Sequence, residues 1–133
     1  MKKNFLTVAV LAFSLMATQS CNKAGTDGEA TLVVFPQHHG ATIANQPGYP
    51  DSVYVTFNTQ DLPADPTHHY DAVFVGETGE DHVHCTTLHT GKYYLFVTGW
   101  DTSLNARVSG GMAIKIKHSE KKKEIDTKVP VTE

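Results

Sequence analysis

Apolar and polar residues alternate with a period of two along most of this chain, and that rhythm restricts it to β-structure. Residues 52–58 show it most cleanly: Val53, Val55 and Phe57 fall on one face, Tyr54, Thr56 and Asn58 on the other. Residues 31–35, 41–44, 70–76, 81–88, 92–100, 107–117 and 125–131 also read as strands. Between them lie turn signals: 36–40 with Pro36 and Gly40, 45–51 with Pro47, Gly48 and Pro50, and 61–67 with Pro63 and Pro66. Gly110 and Gly111 predict a bulge or turn inside the 107–117 run. No segment carries a convincing helical period. Seven or eight short strands punctuated in this way predict an all-β antiparallel sandwich, because a single sheet leaves its apolar face in water. Pro130 predicts that the last strand lies at a sheet edge.

The N-terminus follows a different logic. Lys2 and Lys3 precede an uncharged apolar run over residues 5–17. That run is shorter than the ~20 apolar residues that span a bilayer. A basic start, a short apolar core and a polar exit describe a secretory signal. The exit, Met16-Ala17-Thr18-Gln19-Ser20-Cys21, resembles the lipobox of bacterial lipoproteins, in the relaxed form of Bacteroidota. It departs from the commonest pattern at Thr18, where Leu is usual. The resemblance implies cleavage before Cys21, a diacylglycerol on its thiol and a membrane held through that lipid. The implied location is the cell envelope, with the outer membrane as anchor, on its periplasmic or surface face. The expected division is 1–20 signal peptide, 21–29 flexible tether and 30–133 sandwich.

Removing Lys2 and Lys3 with the leader takes the formal net charge from −3 to −5. No basic footprint for nucleic acid remains. Once Cys21 is lipidated, the other cysteine, Cys85, has no intramolecular partner, so disulfides do not hold the fold. Cys85 reads as a small core residue.

Thr78-Gly79, the 82–85 strand, Leu88, Gly91, Tyr93 and Leu95 resemble a turn–strand–Leu-x-x-Gly-x-Tyr-x-Leu element of prealbumin-like, immunoglobulin-like sandwiches. These include transthyretin-like domains, carboxypeptidase regulatory-like domains and the B-type repeats of collagen adhesins. The resemblance implies that the Leu and Tyr pack into the core around the turn. The stretches GEDHVHC, GKYYLFVTGWD and EIDTKVPVTE look like small Bacteroidota lipoproteins. Transthyretin-like hydroxyisourate hydrolases end in Tyr-Arg-Gly-Ser. This chain ends Val129-Pro130-Val131-Thr132-Glu133, so that activity is not implied.

The strongest functional lead is histidine. Eight are grouped as His38-His39, His68-His69, His82-x-His84, His89 and His118. Imidazole ligates zinc, copper and nickel. His82 and His84, two apart on a strand, share a face. Glu80, Asp81 and Glu77 are the nearest third ligands. If 78–80 is a three-residue hairpin loop, Val75 faces Val83 and Val73 faces Cys85 on the inner side. His68, His69 and His89 then gather in a second cluster, His68 lying roughly 20 Å along the sheet from His84. The candidate metal ligands are therefore His82, His84, His68, His69 and His89, with zinc or copper as the expected ion. Solvated histidines on an outward face are the simpler alternative, and Cys₂His₂ or H-E-x-x-H spacing is lacking.

Catalysis has less support. Cys85 follows His84, but strand neighbours point to opposite faces, so the imidazole does not reach the thiol. No Gly-rich loop precedes a helix and no Ser-centred elbow occurs. The expected function is a non-enzymatic envelope binding or accessory module. The alternative is a structural or adhesive module with a protein or glycan partner, for which Tyr54, Tyr94, Phe96 and Trp100 are candidates for an outward aromatic patch.

Overall fold

A computed structural model describes residues 23–63 and 68–133. The expected signal peptide, residues 1–20, and Cys21 lie outside the described residues. Among the described residues eight strands form: β1 (Ala30–His38), β2 (Ala41–Thr42), β3 (Ser52–Phe57), β4 (Ala72–Val75), β5 (Val83–Leu88), β6 (Gly91–Asp101), β7 (Ala106–Ile116) and β8 (Glu124–Pro130). One 3₁₀ turn, His118–Glu120, precedes β8. The strands make two four-stranded sheets. In the first, β1 is flanked by β5 and β8, and β2 pairs its far end; the second runs β4-β3-β6-β7. The fold is the all-β sandwich that the alternation predicts.

Packing between the sheets follows the period-two pattern. Leu32 and Val34 of β1, Val53 and Val55 of β3, Val83 and Cys85 of β5, and Tyr93, Leu95 and Val97 of β6 are all fully buried. Each buried aliphatic side chain contributes roughly 1.5–3 kcal/mol. Leu88 and Tyr93 sit in this core, on either side of the turn into β6. The Tyr93 hydroxyl lies 2.6 Å from the His89 carbonyl, which it bonds, and accepts the Gly25 N–H at 3.0 Å. A buried phenol thereby keeps its polar tip satisfied.

Several local expectations are revised. The 36–40 stretch does not break β1. Pro36 follows the last β5 pairing, Val34 with Val83, so its missing N–H costs no ladder bond. The strand then turns at His39 and Gly40, both at positive φ (49° and 79°), the geometry of a two-residue hairpin. Gly110 and Gly111 form neither bulge nor turn: β7 stays in register with Val97 and Phe96 of β6. Small residues are needed there because a Cβ would fall 2.1 Å from the Pro130 carbonyl oxygen at Gly110 and 2.2 Å from the Tyr94 hydroxyl at Gly111.

The sandwich is not wholly antiparallel. β8 pairs with β1 in parallel from Thr31–Glu124 to Gln37–Pro130, at the sheet edge that Pro130 predicts. Beyond β8, Thr132 exchanges two backbone hydrogen bonds of 2.8 Å with Ser109 of β7, linking the two sheets. Part of the expected tether also docks. Ala24 is buried, its N–H reaches Asn58 Oδ1 at 3.0 Å, and Gly28 N–H donates to the Thr87 carbonyl at 3.0 Å.

Candidate metal centre

The predicted hairpin between the strands at 70–76 and 81–88 does not form. β4 pairs with β3 in the second sheet, and β5 pairs with β1 in the first. Residues 76–82 therefore cross from one sheet to the other. With no shared ladder, Val73 and Val75 do not face Cys85 and Val83: they are about half exposed (50% and 56%), whereas Val83 and Cys85 are fully buried. Ala72 and Phe74 are the β4 residues packed on the core.

The crossing is held tightly. Glu80 N–H donates to the Glu77 carbonyl at 3.1 Å. Asn45, 2% exposed, donates its backbone N–H (2.8 Å) and its side-chain amide (3.0 Å) to the Glu80 carbonyl. The same amide reaches the His82 carbonyl at 3.1 Å. Its Oδ1 accepts the Asp51 N–H at 2.7 Å. A buried amide with its donors and acceptor engaged fixes the path of the loop.

Val83 and Cys85 point inward, so His82 and His84 point outward on one face. Their Nε2 atoms meet at 2.8 Å. His82 Nδ1 lies 2.9 Å from Asp81 Oδ1. An ionised carboxylate has no proton to give, so Nδ1 carries the hydrogen, and in the neutral ring His82 Nε2 bears a lone pair. His84 then donates from its own Nε2–H. Glu80 Oε2 approaches His82 Nε2 at 3.7 Å, and Phe35 packs on the His82 ring at 5.3 Å. One ligand atom each from Glu80, His82 and His84 falls within 4.8 Å of the others. Tetrahedral zinc with bonds of about 2.0–2.1 Å holds two imidazole nitrogens about 3.3 Å apart. Replacing the shared proton by a metal thus opens the pair by roughly half an ångström. Asp81 stands where a carboxylate orients a ligating histidine. Glu77 lines the adjoining groove with Glu80 and His84 but stands outside the trio.

His68, His69 and His89 do not gather into a second cluster among the described residues, because the hairpin register that would align them is absent. His68 Nε2 sits 3.2 Å from Thr56 Oγ1, with its ring edge-on to Tyr70. His69 is exposed. His89 Nδ1 bonds the Thr90 carbonyl at 3.1 Å. A different trio comes together instead: His38, His39 and Glu133. His38 is 4% exposed and its Nδ1 is 2.6 Å from Asp101 Oδ2. Hydrogen bonds from the Ser103 side chain and from His38 hold the Asp101 carboxyl down at about 2. The His38-His39 doublet is visible in sequence; its carboxylate partners, 63 residues away at Asp101 and on the final residue, are not.

Burial pushes the Cys85 thiol up to about 12, leaving it far from a thiolate at neutral pH. The outward aromatics are half-buried rather than bare. Tyr70 folds over Tyr54 and Phe96, at 5.0 and 6.4 Å, while Trp100 stacks on Tyr49 at 4.4 Å.

No protein-family model, curated protein or solved structure matches the chain.

Proposed function

We propose that this protein is a lipid-anchored, non-enzymatic module of the bacterial envelope that binds a transition metal, zinc or copper, at Glu80, His82 and His84. The observation that carries this reading is the 2.8 Å approach of two imidazole Nε2 atoms, backed by Asp81 on the far nitrogen of His82. Two nitrogens and a carboxylate oxygen suit zinc and copper(II), and three protein ligands leave a position open. The trio is at the surface, with the His82 side chain 23% and the Glu80 side chain 40% exposed. An exposed, incompletely coordinated ion exchanges readily, which favours carrying or handing over metal above hydrolysis in a water-excluding pocket. Lipid attachment at Cys21 would keep this exchange at the membrane.

Calorimetric titration of the purified protein with zinc and copper tests the reading. Submicromolar binding, lost in His82→Ala/His84→Ala, is expected. Equal heats for wild type and the double variant would remove Glu80, His82 and His84 as the site.

A second reading draws on the Tyr49–Trp100 stack, where Tyr49 is 48% exposed beside Arg107 and Tyr54. Such a surface suits a glycan or protein partner, making the domain a structural or adhesive module. Under that reading Trp100→Ala abolishes capture of the partner and metal has no effect on it.

A further inference from the structure

We propose that His38, His39 and Glu133 form a second, independent site for a divalent transition metal of the zinc or copper(II) class. Three separate parts of the fold converge to make it. His38 ends β1 and His39 opens the two-residue turn into β2. Glu133 is brought alongside by the parallel β1–β8 pairing, by Val131 N–H on the Gln37 carbonyl at 2.9 Å, and by the Thr132–Ser109 bonds. Asp101 and Ser103 come from the end of β6 and the loop after it.

The chemistry of the trio is that of a ligand set. The His38 side chain is 3% exposed, and Asp101 Oδ2 takes its Nδ1–H at 2.6 Å. The other oxygen of Asp101 is held separately, by Ser103 N–H at 2.8 Å and Ser103 Oγ–H at 2.6 Å. The carboxylate therefore keeps its orientation without help from the imidazole. In the neutral ring this fixes the His38 tautomer and leaves the Nε2 lone pair facing Glu133 Oε1, 3.9 Å away and beyond hydrogen-bond distance. The His39 ring lies 4.1 Å from that of His38. Ligand atoms of all three residues fall within 4.8 Å of one another. A carboxylate behind a ligating histidine is the arrangement that orients the ring and raises its basicity.

The same Asp–His pair could be read as half of a catalytic triad. The groups facing Nε2 argue otherwise: they are a carboxylate and an imidazole, while the nearby Ser103 hydroxyl is committed to Asp101. His38 and His39 also line a groove with Thr42, Trp100 and Ser103, and His39 and Glu133 are exposed, so the trio is approached from solvent on that side. The two sites are separate. Phe35, which packs on His82, and His38 differ by an odd number of residues and so project to opposite faces of β1.

The test is zinc and copper stoichiometry on the full chain by elemental analysis after dialysis, with long-range ¹H–¹⁵N spectra of the imidazoles. His38 is buried and paired, so the variant that removes this site is His39→Ala/Glu133→Gln, which leaves the His38–Asp101 pair in place. We expect His82→Ala/His84→Ala to keep about one metal ion per chain, with the His38 Nε2 resonance shifted by zinc. Adding His39→Ala/Glu133→Gln to it removes that ion. If His82→Ala/His84→Ala retains no metal, or zinc leaves the His38 signals unmoved, the second site is overturned. If that variant instead matches wild type at one ion per chain, and the ion is lost with His39 and Glu133, the Glu80 site fails and this one stands.

Discussion

Asp51 offers a test of the packing that needs no ligand. It sits immediately before β3, fully buried, with its carboxylate against Gly99 of β6, where a Cβ would fall 2.6 Å from Oδ1. Neither carboxylate oxygen has a hydrogen-bond partner. Burial raises the carboxyl from 3.8 to about 7, against an opposing pull from the Trp100 backbone that falls short of hydrogen-bond geometry. Below pH 3.8 the group is protonated in both folded and unfolded chains. Between about 4 and 7 the unfolded chain gives up the proton while the folded chain keeps it, so stability falls by about 1.4 kcal/mol per pH unit. Above pH 7 both states are ionised and the loss levels off. The interval from 3.8 to about 7 corresponds to at most about 4 kcal/mol. Asp51→Asn cannot ionise, so urea unfolding of wild type and variant at matched pH isolates this group from the histidines. The stability difference should move steadily in favour of the variant from pH 4 to 7 and then flatten. A difference that stays constant from pH 4 to 8 would refute an unpartnered buried carboxyl.

Other outcomes follow from named contacts. Asp81→Asn should weaken zinc binding roughly 10- to 100-fold by calorimetry, with the urea midpoint unchanged, because it frees the His82 ring without touching the core; wild-type affinity would show that Asp81 orients nothing. Tyr93→Phe should lose about 1–2 kcal/mol in urea unfolding, since the His89 carbonyl and the Gly25 amide both lose the hydroxyl; an unchanged midpoint would mean that residues 24–28 dock without it. His39→Gly should stabilise the metal-free protein by about 1 kcal/mol, because His39 sits at φ 49°, where glycine escapes the left-handed penalty. Cys85 should resist thiol reagents at pH 8 in the native protein and react once unfolded; rapid native labelling would contradict its burial.

The strands were readable in the sequence because half-buried strands imprint a period of two, and all eight predicted runs contain a strand. The pairing was not. Alternation says which way Val83 and His84 point, but it does not say which strand lies beside β5. Residues 76–82 look like a hairpin turn and instead cross between sheets, so the proposed His68–His69–His89 cluster dissolved with the register it needed. His82 and His84 do share a face, and Glu80, one of three candidate carboxylates, lies beside them, because two histidines two apart and a carboxylate two residues earlier require no long-range pairing. Asn45, which anchors that loop through its side chain and backbone, left no signal beyond a polar residue in a Pro/Gly-rich stretch. The His38–Asp101–Glu133 grouping depends on a parallel contact between the first and last strands, and short-range pattern carries no trace of it.

The central claim is a metal held between His82 and His84. The most direct measurement is the imidazole ¹H–¹⁵N spectrum of the purified protein during zinc addition. Metal binding must take the proton from His84 Nε2, so both Nε2 resonances should move to metal-bound values and His84 should change tautomer to Nδ1–H, with saturation at submicromolar free zinc. If both rings keep their metal-free tautomers through millimolar zinc, the short Nε2–Nε2 contact is only a hydrogen bond between two surface histidines, and the claim is wrong.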